Sequence, residues 1–160
     1  MAYIYRFFSD KEDLIAKSFA DADRRFLEVI LDNYTVLNYE SIDYESRCHV
    51  LFMKCWEYLM QHPAELTFYV RYYYSSSFQK YAYKEHMERY IGLFEKMKTA
   101  FPATTDVRLV MHHILDTLLG EAMKQVSNPQ EDSNTVATKT FFLIFSVVKS
   151  YVNKDKLSRA

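Results

Sequence analysis

The chain has 160 residues, a net charge of -1 at pH 7 and a sequence pI of about 6.5. This length suits one domain that buries a proper core. The near-neutral charge argues against a complete nucleic-acid-binding module, because such modules usually present a basic face to phosphates. The chain has only 2 glycines and 3 prolines, too few for the turns of a β-sandwich or barrel. We therefore expect an all-α fold.

No segment has the pattern of a membrane span or a secretory signal. The longest apolar run covers residues 141–145, whereas a transmembrane helix needs ~20 apolar residues. The first residues are aromatic and charged rather than basic and then apolar. We expect a cytoplasmic protein with no membrane partner.

A helix boundary is predicted near the N-terminus. Ser9 followed three residues later by Glu12 matches a capping box, in which both side chains satisfy free backbone N–H groups. The first long helix should therefore begin at about Asp10 and continue to about residue 35. One apolar stripe runs along it at spacings of three and four: Ile15, Phe19, Ala22, Phe26 and Ile30.

The middle of the chain predicts three more helices. The apolar spacing indicates helices over about 42–61, from about Pro63, and over about 78–100, with Pro63 suited to a first helical turn. The serines at 75–77 mark either a loop or an interruption. Tyr72, Tyr73 and Tyr74 are consecutive, so they cannot all face inward on a helix, and at least one ring should be exposed or contact another element.

The last two predicted helices, 105–126 and 135–152, are apolar on more than one face. A helix of this kind must be buried on more than one side, and a chain of this size has few helices with which to cover it. A partner subunit would cover the extra faces economically. A central core helix within a monomer is the alternative.

The N-terminal segment Ile4-Tyr5-x-x-Phe8-Ser9-x-Lys11-Glu12-x-Leu14 resembles a junction that is typical of the TetR family of bacterial transcriptional regulators. In that family it joins the recognition helix to the next helix. The resemblance implies that residues 1–9 are the remnant of a helix-turn-helix, whose larger part would precede Met1. Residues 10–160 would then form an effector-binding and dimerisation domain of the TetR type.

The resemblance also implies a function and a set of contacts. The intact protein would be a homodimeric, ligand-responsive regulator, most simply a repressor, that binds operator DNA. Tyr5 and Lys11 match positions that contact DNA phosphates in the family. Dimerisation would use the last two long helices, through Leu115, Leu119, Ala122, Phe141, Ile144, Phe145 and Val148.

An effector pocket is expected among the aromatic residues of the middle helices. Aromatic side chains with polar tips line an apolar site and still offer hydrogen bonds. A small apolar, aromatic or cationic effector would suit such a site. The alternative is that most of these residues simply fill the core. The candidates are Phe52, Trp56, Tyr69, Tyr73, Tyr90, Phe94, Met111 and His112.

Catalytic, cofactor and metal sites are not predicted. His112 and Asp116 share one helix face, but no third ligand is spaced to join them. Cys48 and Cys55 lie about 10 Å apart along one predicted helix, too far for a disulfide, and we expect reduced thiols. With no phosphate loop or nucleophile elbow, an enzyme is not expected. The alternatives to a regulator are a helical homodimer that binds a small molecule or a partner without touching DNA, and a small-molecule carrier.

Overall fold

The computed structural model describes residues 8–158. Within this part of the chain the regular structure is entirely helical, which confirms the all-α prediction. A short 3₁₀ helix, Tyr34–Asn38, follows the first long helix. The α-helices are α1 (Lys11–Asn33), α2 (Tyr44–Gln61), α3 (Pro63–Tyr73), α4 (Ser76–Tyr81), α5 (Tyr83–Lys98), α6 (Val107–Ser127), α7 (Ser133–Val148) and α8 (Lys154–Leu157).

The start of α1 differs from the prediction by one residue. Asp10, not Ser9, is the N-cap, and its side chain accepts a hydrogen bond of 2.8 Å from the backbone N–H of Asp13. The carboxylate of Asp13 in turn accepts from the backbone N–H of Ser9 at 2.9 Å. Because Asp10 caps the helix, Asp13 rather than Glu12 occupies the third helical position. The carboxylate that reaches back to a backbone N–H before the helix is therefore that of Asp13.

Other helix ends follow local chemistry. Pro63 is the first residue of α3, as predicted. The expected helix over 78–100 is divided at Ala82 into α4 and α5, and Ser75 caps α4 by accepting from the backbone N–H of Phe78. The expected helix over 135–152 ends at Val148 and is followed by α8. Tyr74 is 58% exposed, which confirms that the three consecutive tyrosines do not all face inward.

Two groups of helices enclose the core. α1 packs on α2, α3, α4 and α5, while α6 packs on α2, α3, α5 and α7. Phe19 on α1 and Ala122 on α6 are completely buried, and Trp56 on α2 is 1% exposed. α2 contacts both α1 and α7. The candidate site is bordered by α1, α2, α5, α6 and α7.

Candidate ligand cavity

A cavity of about 140 Å³ lies inside the helical body. It is bounded by one face of α2, the C-terminal halves of α1 and α5, and the apolar faces of α6 and α7. The 3₁₀ helix closes one side. The residues that line the cavity are Ile30, Tyr34, Leu37, Tyr44, Cys48, Leu51, Phe52, Cys55, Leu93, Met97, Ala100, Phe101, Met111, Ile114, Leu115, Leu118, Phe141, Ile144, Phe145 and Val148.

Helical spacing explains why these side chains share the cavity. On α2 the lining residues recur at intervals of three and four, from Tyr44 through Cys48 and Leu51 to Cys55. The lining residues of α6 and of α7 follow the same spacing. Each helix thus presents one coherent apolar face.

Stacked rings hold part of the wall in place. Phe141 and Phe145 stack with ring centroids 5.4 Å apart, and His49 stacks on Phe141 at 4.5 Å. Aromatic pairs at these separations are stabilised beyond their area burial. Rings that are held against one another along the wall are less free to turn inward and fill the space.

The titratable groups on the wall are uncharged at neutral pH. Burial raises the pKa values of Tyr34, Cys48 and Cys55 to about 12, and it raises the pKa of Tyr44 further. The hydroxyl of Tyr44 also interacts with the sulfur of Cys48 one helical turn away. Both cysteines are free thiols.

Only part of the predicted pocket lies at this cavity. Phe52 on α2 and Met111 on α6 are lining residues. The other predicted pocket residues do not line it: Trp56, Tyr69, Tyr73, Tyr90, Phe94 and His112. His112 is half-buried, and the other five are buried or half-buried in the surrounding packing.

Two of the predicted pocket residues, Trp56 and Tyr69, direct their polar tips to internal partners instead of the cavity. The indole N–H of Trp56 donates to Ser133 Oγ at 3.0 Å. The hydroxyl of Tyr69 donates to Asp23 at 2.9 Å, and the ring of Tyr73 stacks on Tyr69 with centroids 5.9 Å apart. These groups serve as internal braces, because a buried polar atom without a partner is costly.

Asp23 is the centre of a buried polar cluster that joins α1, α3 and α5. Its side chain is completely buried. One oxygen accepts from the Tyr69 hydroxyl, and the other lies 2.9 Å from His86 Nδ1 and accepts from Arg89 Nε at 2.9 Å. His86 is also buried, whereas the Arg89 side chain is 22% exposed. The cluster braces the core beside the cavity.

Sequence reasoning missed most of the cavity wall, although a signal was present. The pocket candidates on α2 were Phe52 and Trp56, and only Phe52 lies on the face that lines the cavity. Tyr44, Cys48 and Cys55 have an equally regular spacing. An apolar face that contains cysteine and tyrosine was the available clue.

The predicted dimer-interface residues are buried within one protomer. Each of these side chains is at most 8% exposed, so they contribute little to the surface of the protomer. The internal core and cavity account for their burial. The residues concerned are Leu115, Leu119, Ala122, Phe141, Ile144, Phe145 and Val148.

A different set of apolar side chains remains exposed on α6, on α7 and just after α7. Leu109 is 68% exposed, Leu143 58%, Val147 42% and Tyr151 50%. Leu109, Val147 and Tyr151 line one surface groove, and Leu143 lies one helical turn before Val147. We call these four residues the α6–α7 face.

The predicted DNA-contact residues lie at or beyond the described N-terminus. Tyr5 is outside the described residues. Lys11 is the first residue of α1 and is exposed to solvent. Its ammonium group is therefore accessible at the positive end of a long helix.

Residues 8–158 contain neither a cluster of potential metal ligands nor a helix that could span a membrane. No three His, Cys, Asp or Glu side chains are grouped there to hold a metal ion, and Asp116 accepts a hydrogen bond from Tyr74 at 2.7 Å. Nor does any helix of residues 8–158 have the length and apolar character needed to cross a membrane.

Comparisons with known proteins assign no family to the chain. No protein-family model, curated protein or solved structure matches it. The cavity, the α6–α7 face and the N-terminal residues are therefore the features from which a function can be proposed.

Proposed function

We propose that this chain is the effector-binding and dimerisation part of a cytoplasmic, TetR-like transcriptional repressor. One observation carries the proposal. The helix that begins at the TetR-like junction, α1, also contributes Ile30 to the cavity wall. Lys11 and Ile30 are about 28 Å apart along the axis at 1.5 Å per residue, so a single helix connects the two regions.

Such a helix gives a direct route from ligand to DNA. A ligand in the cavity contacts Ile30, and the adjoining 3₁₀ helix contributes Tyr34 and Leu37 to the same wall. Displacement of this end tilts or shifts the rest of α1. The ligand weakens DNA binding only if it binds more tightly to the dimer whose two DNA-binding domains are wrongly spaced for the operator. Equal affinity for two states shifts neither population.

The proposed dimer uses the α6–α7 face. Three of its four apolar side chains belong to the last two long helices, which is the location implied by the family resemblance, and Tyr151 lies three residues after α7. Exposed apolar groups that cluster in this way gain stability when a second copy covers them. The partner would be a second copy of this chain, packed in a symmetric contact.

The dimer can be tested by one charge substitution with a matched control. Leu143→Glu places a carboxylate within the α6–α7 face, whereas Ile91→Glu places one at a similarly exposed site on α5 (Leu143 58%, Ile91 53%). Sedimentation equilibrium should show a dimer for the wild-type chain and for Ile91→Glu, and a monomer for Leu143→Glu. A wild-type monomer at high micromolar concentration would contradict the proposed interface.

The regulatory role can be tested on the product of the gene at its own locus. The purified product should retain specific fragments of genomic DNA. A product that retains no fragment would contradict the regulator proposal.

The second candidate is a ligand-binding helical homodimer that does not touch DNA. It is favoured by the cavity itself, because the described lining residues form an apolar site without any contribution from a DNA-binding domain. Ligand binding by the native product without DNA retention would support this candidate.

A further inference from the structure

The cavity wall carries no charged side chain in the part of the chain that the structure describes. None of its lining residues is Asp, Glu, Lys, Arg or His. Most are aliphatic, aromatic or thioether side chains. Only the hydroxyls of Tyr34 and Tyr44 and the thiols of Cys48 and Cys55 are ionisable.

These four groups do not charge the cavity at physiological pH. Burial raises the pKa of each of them far above 7, with values of about 12 for Tyr34, Cys48 and Cys55. An ionised ligand would therefore lose its hydration without gaining an opposite charge. Burial of an unpaired ion in apolar surroundings is strongly unfavourable.

Arg47 is a buried cation beside the wall, and its guanidinium is partly engaged. Its Nη1 donates to the backbone oxygen of Leu37 at 2.6 Å, and the group lies over the Tyr44 ring, 5.3 Å from the centroid. Arg47 is not a lining residue, although Tyr44 and Cys48 on either side are. Its Nε has no hydrogen-bond partner among the described residues, but an anion in the cavity would reach it only if the wall between them rearranged.

The cavity size limits the ligand further. Its volume is about 140 Å³, and an apolar cavity of roughly 150 Å³ in another protein binds benzene. Aromatic rings and sulfur atoms on the wall, including Phe52, Phe101, Met97 and Met111, give favourable contacts to a flat, polarisable molecule.

We propose that the cavity binds an uncharged apolar molecule of about the size of one substituted aromatic ring. This inference rests on the proposed function, because it names the chemical class of the effector. It also narrows the expectation from sequence, which included cationic ligands. The wall offers no carboxylate to compensate a cation.

Three probes of similar shape test the charge requirement. Ethylbenzene is neutral, benzylammonium replaces its terminal methyl group by a cation, and benzoate supplies an anion. Binding is followed by the NMR methyl signals of Met97 and Met111, which report directly from the wall. We expect ethylbenzene to bind and both ions to bind at least about 100-fold more weakly.

A matched pair of substitutions confirms the location. Ala100→Leu adds three carbon atoms at the cavity wall, whereas Ala103→Leu adds them at an exposed position in the following loop. Ethylbenzene affinity should fall at least tenfold in Ala100→Leu and stay unchanged in Ala103→Leu. Should Ala100→Leu not fold, Cys55→Met serves the same purpose on α2.

The outcomes separate the ligand class from the proposed function. Equal or tighter binding of benzylammonium or benzoate would overturn the neutral-ligand inference, and benzoate binding would implicate Arg47. Absence of ethylbenzene binding at millimolar concentration would overturn it as well. Ethylbenzene binding by a native product that retains no DNA would support the ligand class and contradict the regulator proposal.

Discussion

Replacement of Asp23 by alanine should lower the free energy of unfolding by more than any surface substitution on the same helix. Asp23 is completely buried and accepts hydrogen bonds from Tyr69 and Arg89, with His86 Nδ1 2.9 Å away. Its removal leaves three polar groups without their partner. Breaking a buried ion pair costs about 3–5 kcal/mol, a large share of the roughly 5–15 kcal/mol that holds a domain folded.

The loss in free energy of unfolding can be measured by urea unfolding, and thermal unfolding gives the corresponding change in melting temperature. For a chain of this length each kcal/mol corresponds to roughly 2–4 °C in melting temperature, so Asp23→Ala should melt on the order of 10 °C lower than wild type. Asp23→Asn should lose less stability, because the amide oxygen still accepts hydrogen bonds while the charge is gone.

Asp21→Ala provides the matched control. Asp21 lies on the same helix, is exposed and pairs with Arg24 and Arg25 at the surface. Exposed ion pairs contribute little to stability, and alanine favours the helix. A loss in Asp23→Ala no larger than that in Asp21→Ala would refute the argument that the buried cluster braces α1 against α3 and α5.

Two further predictions concern pH and thiol chemistry. Burial raises the pKa of Glu65, but hydrogen bonds from Arg25 and Tyr58 lower it by more, so the folded pKa is below the ordinary 4.5. The stability that Glu65 contributes is therefore present above about pH 4.5 and lost below it. The difference in free energy of unfolding between wild type and Glu65→Gln should shrink from pH 7 to pH 3. A constant difference would contradict this. Cys48 and Cys55 have pKa values of about 12 instead of 9.0, which leaves roughly a thousandfold less thiolate at pH 8. Iodoacetamide should accordingly modify the folded chain far more slowly than the urea-unfolded chain, and equal rates would show that these thiols are not buried as described.

The sequence determined the helical class and the approximate positions of the helices. Apolar residues recur every three or four positions, and few glycines or prolines interrupt them. Pro63 began a helix as expected because proline lacks an N–H and suits the first turn. These features depend on local geometry, which a single chain segment specifies by itself.

The tertiary structure decided which aromatic residues fill the core and which line a cavity. Trp56 donates a hydrogen bond to Ser133, which lies 77 positions away in the sequence, and Tyr69 donates one to Asp23, which lies 46 positions away. A periodic pattern fixes the direction of a side chain only relative to its own helix, so it does not identify the neighbour that the side chain meets.

The last two helices show the same division most clearly. Their sequence predicted apolar surface on more than one side, and that surface is present: Phe145 and Val148 face the cavity while Leu143 and Val147 face solvent. Which side became the core depended on the way α7 packs against α2 and α6. Hydrophobic burial has no direction of its own, so the packing of whole helices, and not the composition of one, selects the buried face.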